Sequence, residues 1–286
     1  MYKACANFKI ENQISILEQL LIRFNVFFSN FAPRFAKNAY IWSMKLPRKI
    51  NPDRINDSIV EVKFTSNMPY EIYLGLIYKS LDNTYKYTNR PNGQKKIALP
   101  LDVPSEIKFS FGNTLSLFFN DKIKFEIRPG SIIFNCIDKY ITWELYQPEI
   151  QRVLEQISHS DVIQSFNRAG IRYISEYPDT EINEITKFSF SFGMPDVSSD
   201  SYSFRSVYKK ADCRIIINLS SKIPMIGEPT LKKSISAIDI DIIKENFETD
   251  KLGMLFDIIE EIHTLEKVTF FNLLSEDFLN SLNPKY

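Results

Sequence analysis

Apolar and polar residues alternate along Ile59-Val60-Glu61-Val62-Lys63-Phe64, which is the period of a strand with one buried face. The period then changes. Asn67 and Pro69 mark a helix start, and Ile72, Leu76 and Ile77 recur at helical spacing behind them. Short runs follow at Lys96 to Leu101, Glu106 to Phe111, Leu115 to Asn120, Lys122 to Arg128 and Ser131 to Ile137. Pro104, Gly112-Asn113, Asn120-Asp121 and Pro129-Gly130 separate them with turn chemistry, so the runs predict antiparallel hairpins. A second helix is expected over Trp143 to Ile157, with Ile150, Val153, Leu154 and Ile157 on one side and Pro148 acceptable only in its first turn. Strands are expected again at Asn167 to Ile174, Lys187 to Gly193, Tyr202 to Lys209, Cys213 to Ser220 and Ser234 to Ile243. The last long helix runs from Leu252 to Glu266 with Leu255, Ile258, Ile259, Ile262 and Leu265 inward, and a helical tail covers Phe270 to Leu282.

A strand leads directly into a helix three times, at 59 to 82, 131 to 157 and 234 to 266. That recurrence predicts an α+β fold: a curved, largely antiparallel sheet, barrel-like and pseudo-repeated, with three packing helices on one side. No Gly-rich or Pro-rich linker interrupts residues 44 to 286, which read as a single α+β domain. Residues 1 to 43 differ. Phe24, Phe27, Phe28, Phe31 and Phe35 crowd a partly helical segment, and Met44-Lys45-Leu46-Pro47 follows like a fresh start. This N-terminal extension reads as a docking helix, an interfacial helix, or a stretch outside the working protein.

Composition narrows the function classes. With 286 residues and 44% hydrophobic side chains, the chain can bury a large core. Its 35 basic and 35 acidic residues cancel, so the bulk charge that draws nucleic acid is missing. Cys5, Cys136 and Cys213 are an odd number without paired spacing and read as buried thiols of a cytoplasmic protein. His159 and His263 stand alone, His263 as a solvent-facing helical histidine, which argues against a zinc site or a histidine-based triad. The segment Ile14 to Phe31 is too polar for a membrane span. P-loop, Gly-x-Gly-x-x-Gly and nucleophile motifs do not occur, and no cofactor is implied.

The candidate chemistry lies in two strands. Arg168 and Arg172 fall on one face of theirs, about 13 Å apart with Gly170 between them. Guanidinium forks so placed suit a phosphate or carboxylate, with Gly170 allowing close approach, or else a structural network with nearby acids. Asp239 and Asp241 supply such acids, about 7 Å apart on one face of the Ala237 to Ile242 strand. Two carboxylates need further oxygen ligands before they hold a metal, and Glu61 is the other acidic residue in a comparable strand position. Tyr173 adjoins the cluster but faces opposite to Arg172; with Tyr177, Phe188, Phe190 and Phe192 it reads as core. Arg168, Arg172, Asp239, Asp241, Glu61 and Tyr173 thus form the candidate set, as a ligand-binding or a structural polar network.

Several segments in order resemble a sporadically distributed prokaryotic protein family of unknown function: Leu46-Pro47, the Ile55 to Phe64 strand, Tyr140 with Trp143-Glu144, Arg168-Ala169-Gly170-Ile171-Arg172-Tyr173-Ile174, Asp239-Ile240-Asp241, and His263 ahead of Phe270 and Phe271. Ser175 departs from the asparagine usual after the Arg-Tyr-Ile run. The resemblance implies a single-domain cytoplasmic protein, with the patchy distribution of mobile accessory and phage-defence systems. The functional expectation is a non-enzymatic binding protein that senses an anionic small molecule or recognises another protein. The alternative is a metal-assisted or nucleic-acid-processing enzyme using the same Arg/Asp cluster.

Overall fold

A computed structural model describes residues 46–81, 83–88, 116–189, 201–224 and 234–286. Two units divide the chain, Met1–Arg48 with Tyr286 and Lys49–Lys285, and the elements below belong to the second. The expected strands at 96–101 and 106–111 and most of the one at 187–193 lie outside the described residues, as does nearly all of the N-terminal extension.

Among the described residues one antiparallel sheet is built from β1 (Ile55–Thr65), β2 (Lys86–Thr88), β3 (Ser116–Phe119), β4 (Ile123–Arg128), β5 (Ser131–Cys136), β6 (Ser165–Pro178), β7 (Tyr202–Lys210), β8 (Cys213–Pro224) and β9 (Ser234–Thr249). Their order is β2-β3-β4-β5-β1-β6-β9-β8-β7. Among the described residues the sheet is not closed, its outermost strands being β2 and β7, and no barrel is seen. Five helices accompany it: α1 (Tyr70–Ser80), α2 (Trp143–Ser158), α3 (Ile182–Ile185), α4 (Leu252–Leu273) and α5 (Glu276–Ser281). No helix among the described residues is long and apolar enough to cross a membrane.

Alternation decides which face the helices cover. In register across the sheet run Tyr87, Phe118, Phe125, Phe134, Val60, Ile171, Ile242, Ile215 and Tyr208, one from each strand. The central residues of this row join Tyr73 and Ile77 of α1, Ile150, Val153 and Leu154 of α2, and Ile258, Ile259 and Ile262 of α4 in one buried cluster. Rings of Phe118, Phe125 and Phe134 pack at centroid distances of 5.2 and 5.6 Å along it. Ile133, Ile216 and Ile243 alternate to the other face and stay outside that cluster. Among the described residues no helix packs on this second face.

Local detail departs from the pattern in four places. α1 buries Tyr73 where the helical spacing favours Ile72, which is more than half exposed. The tyrosine hydroxyl explains the exchange, donating to the Arg128 carbonyl at 3.1 Å and accepting from Gly130 N–H at 2.9 Å in the β4–β5 turn. Gly130 has φ +71°, and a side chain there would also crowd the Phe64 carbonyl at 3.3 Å. Pro148 sits in the second turn of α2, not the first; the donor it lacks leaves the carbonyl of exposed Glu144 to solvent. α4 continues to Leu273, through the start of the expected tail, and β2 and α3 answer to no sequence pattern.

Candidate functional site

Ala169, Ile171 and Tyr173 of β6 turn to the helix-covered face, which sends Arg168, Gly170 and Arg172 to the other. Partners come from the flanking strands. Arg172 lies in register with Asp241, yet its fork reaches diagonally to Asp239, Nε to Oδ1 at 2.7 Å and Nη2 to Oδ2 at 2.8 Å. Asn218 of β8 donates to the same Asp239 Oδ2 at 2.9 Å, and Arg205 of β7 donates to Asn218 Oδ1 at 3.3 Å. The Arg172 and Asp239 side chains are 15% and 12% exposed, so the bidentate pair is largely withdrawn from water. Burial opposes the charge on Arg172, but Asp239, with Asp241 and Asp57 nearby, holds its pKa above the ordinary value.

Arg168 is held from both sides. It donates through Nη1 to Glu61 Oε2 of β1 and through Nε to Glu245 Oε1 of β9 at 3.2 Å. Arg214 of β8 approaches the same Glu245 oxygen at 3.5 Å. A Cβ added to Gly170 would lie 3.9 Å from Arg168 Nη2, in ordinary contact, so the space above the glycine is bordered by the arginine itself. The anion clamp expected over Gly170 therefore starts from two guanidiniums already engaged. A ligand carboxylate or phosphate has to displace a held partner before it can bind.

Asp241 is the exception in this network. Among the described residues its carboxylate has no hydrogen-bond partner, and burial pushes its pKa up to about 6. Arg172 and Arg168 pull the value down, while Asp239 and Glu61 raise it. The two aspartates thus share a strand face but not a role. Asp239 spends both oxygens on Arg172 and Asn218, so the pair does not offer a cation an open carboxylate cage.

Ligand-type atoms converge instead at Asp212, Cys213 and Glu261. The Lys244 ammonium already stands there, 3.1 Å from Asp212 Oδ2 and 2.6 Å from Glu261 Oε2. Burial, with Asp212 and Glu261 beside it, pushes the Cys213 thiol up to about 12, so it stays protonated and is poorly suited to ligate or attack. Cys136 and Cys213 are both buried and unpaired, in line with their reading as core thiols.

Tyr173 does not belong with the arginines. It turns to the covered face, 5% exposed, with its hydroxyl 3.4 Å from that of Tyr140. There it joins a group the sequence did not single out. His263 is buried, not solvent-facing; it stacks on Trp143 at a centroid distance of 4.0 Å, and its Nδ1 has no hydrogen-bond partner. Trp143 Nε1 donates to Glu260 at 2.8 Å. Burial lowers the His263 pKa against the pull of Glu260, and burial raises that of Glu266, one turn on, to about 8. A sequence signal did exist: Glu266 follows Ile259 and Ile262 by seven and four residues, on the apolar side of α4.

Two shallow cavities, of about 310 and 220 Å³, lie elsewhere. The first is lined by Lys49, Ile50, Asn51, Asn283 and Lys285, the second by residues such as Arg54, Tyr177 and Phe278. Neither includes a residue of the Arg/Asp network. No protein-family model matches the chain, and no curated protein sequence matches it either.

Proposed function

We propose that this chain is a binding protein that docks a protein partner on the sheet face left free of helices. The observation that supports this is the state of the charges on that face. Arg172 with Asp239, Arg168 with Glu61 and Glu245, and Arg128 with Glu126 at 2.7 Å neutralise one another in place. Ile59, Ile174 and Ile216 alternate between them. Central charges held in pairs, with apolar residues between them, complement a folded protein. A small anion is a weaker fit, since both central guanidiniums already hold carboxylates. The family resemblance adds the setting of a mobile accessory or phage-defence system, and this belongs to the same proposal.

Photo-crosslinking side chains introduced at Lys63 and Lys124, on the free face, and at Ile72, more than half exposed on α1, test the reading in the native host. Protein crosslinks from the first two positions and not from the third are expected. Crosslinks to nucleic acid alone, or equal protein yields from both sides, would falsify it. Thermal-shift screening with nucleotides, phosphorylated metabolites and divalent cations covers the small-ligand reading: a stabilisation that disappears in Arg172→Ala would replace the docking proposal by an anion site.

A further inference from the structure

Lys63, Arg168, Glu245, Arg214 and Lys209 lie on β1, β6, β9, β8 and β7, five strands that are neighbours in the sheet. Alternation turns all five side chains to the free face. Lys63 stands directly opposite Arg168, and Lys209 directly opposite Arg214, each across an antiparallel pair. Like charges so placed destabilise a sheet unless anions answer them.

The chain answers them in part. Arg168 holds Glu61 and Glu245, and Arg214 reaches the same Glu245 oxygen only at 3.5 Å, its Nε covered and without a partner. Lys63 and Lys209 are exposed, and among the described residues neither ammonium has an ion-pair or hydrogen-bond partner. Asp241 adjoins the band but is drawn more by Arg172 than by Arg168. Four cations thus share two carboxylates, and the two lysines at the ends are unanswered. At about 4.8 Å per strand, the band is about 19 Å long.

We propose that this band takes an acidic segment of a protein partner, with carboxylates seated beside Lys209 and Arg214 at one end and beside Lys63 at the other. The proposal rests on the docking reading above and adds the partner's chemistry to it. Unlike the central arginines, the two lysines can meet a carboxylate without breaking an existing pair. Neighbouring side chains favour protein over nucleic acid. Single-stranded nucleic acid is held by rings that stack on its bases, yet Phe204 and Tyr208 lie opposite Leu219 and Ile215 and turn to the helix-covered face. Beside the band on the free face stand Val207 and Ile216, both aliphatic, and Val207 is 52% exposed. Cations at the rim with an aliphatic contact between them match a segment that carries both carboxylates and apolar side chains.

Fluorescence anisotropy of a labelled poly-glutamate peptide with the full chain at low salt, read against an oligothymidylate of equal charge, tests this. Wild type should bind poly-glutamate the more tightly. Lys63→Glu combined with Lys209→Glu should weaken that binding about tenfold or more, because each change turns an attraction into a repulsion. Lys79→Glu combined with Lys251→Glu makes the same change in net charge on α1 and at the start of α4, and should stay within about twofold of wild type. The free-face pair of substitutions also removes both like-charge oppositions, so that variant should melt at or above wild type. A variant melting well below wild type would show the lysines to be scaffolding and overturn the site. So would a wild type that ignores poly-glutamate, tighter binding of oligothymidylate, or equal weakening by the two double variants. Crosslinks from Lys124, outside the band, report docking separately: if they persist while poly-glutamate fails, the acidic chemistry falls and the docking face stands.

Discussion

Replacing Glu266 by glutamine should flatten the pH dependence of stability near neutrality. Glu266 is 4% exposed in the middle of α4, and burial raises its pKa from 4.5 to about 8, with Lys267 pulling the other way. At pH 7 the folded chain therefore holds a proton that the unfolded chain has already released. Unfolding releases it, so raising the pH favours unfolding throughout the window from 4.5 to about 8. Stability is fully present below 4.5, and its loss is complete once the pH has passed through the folded value.

The size follows from the linkage slope of about 1.4 kcal/mol per pH unit, which halves as the group reaches its own pKa. From pH 6.5 to 8 the wild-type chain should lose about 1.5 kcal/mol. This interval isolates Glu266 among the described residues with shifted values. Asp241, with its midpoint near 6, and His263, lowered by burial from 6.5, leave only small remainders of opposite sign above pH 6.5, and these are common to both chains. The buried thiols and tyrosines begin above it. Urea denaturation at the two pH values, on wild type and Glu266→Gln, gives four free energies. The amide can shift the absolute stability in either direction, but most of the pH slope should disappear. Parallel slopes for the two chains would refute the assignment of the proton to Glu266.

Three further outcomes follow from the same structure. Arg172→Ala strands Asp239 with Asn218 alone and should destabilise by roughly 3 kcal/mol in urea denaturation; a change under 1 kcal/mol would show the pair to be solvated. Asp241→Asn removes a carboxyl whose pKa is raised from 3.8 to about 6, so wild-type stability tied to it is lost as the pH rises through that window. The Asn variant should gain about 1 to 2 kcal/mol on wild type between pH 4 and pH 7, discounted for partial exposure, and equal melting differences at both pH values would contradict this. Phe134→Ala opens the fully buried centre of the aromatic row and should cost about 3 to 5 kcal/mol by denaturation, without changing the charges on the free face.

Periodicity made the long elements legible. Apolar residues alternate along β1, β4 and much of β6 and β9, β5 and β8 show continuous β-branched runs such as Ile215-Ile216-Ile217, and α2 and α4 show the helical stripe over the positions that pack. β2 has three residues and α3 four, too few for any period to show. Charge in a strand was equally visible, but its pairing was not. Arg172 with Asp239 could be guessed from two odd strands, whereas Arg168 takes Glu61 from 107 residues away and Glu245 from 77, on either side of β6. Those partners follow from strand order, which local alternation does not encode. Tyr73 and Glu266 were not singled out for a related reason: whether a hydroxyl finds acceptors, or a carboxyl stays protonated, depends on what the fold brings to it.

Strand order also corrects the count of the recurring unit. Among the described residues strand-to-helix junctions occur four times, β1 to α1, β5 to α2, β6 to α3 and β9 to α4, and the third was hidden because α3 is a single turn. With it the chain divides into two runs, β1 to α2 and β6 to α4, of the same design. In each, the first strand lies innermost, the last strand pairs beside it, and the strands before that follow outward. The two first strands therefore meet at the centre of the sheet, which is why Glu61 of β1 lies beside the arginine strand and why both arginines sit between β1 and β9. The same order pushes the early strands of each run outward, so that β2 and β7 are the outermost of the described strands. The central charge network is thus a consequence of the topology: where the two first strands meet, Glu61 of β1 and Glu245 of β9 flank Arg168, and Asp239 of β9 holds Arg172.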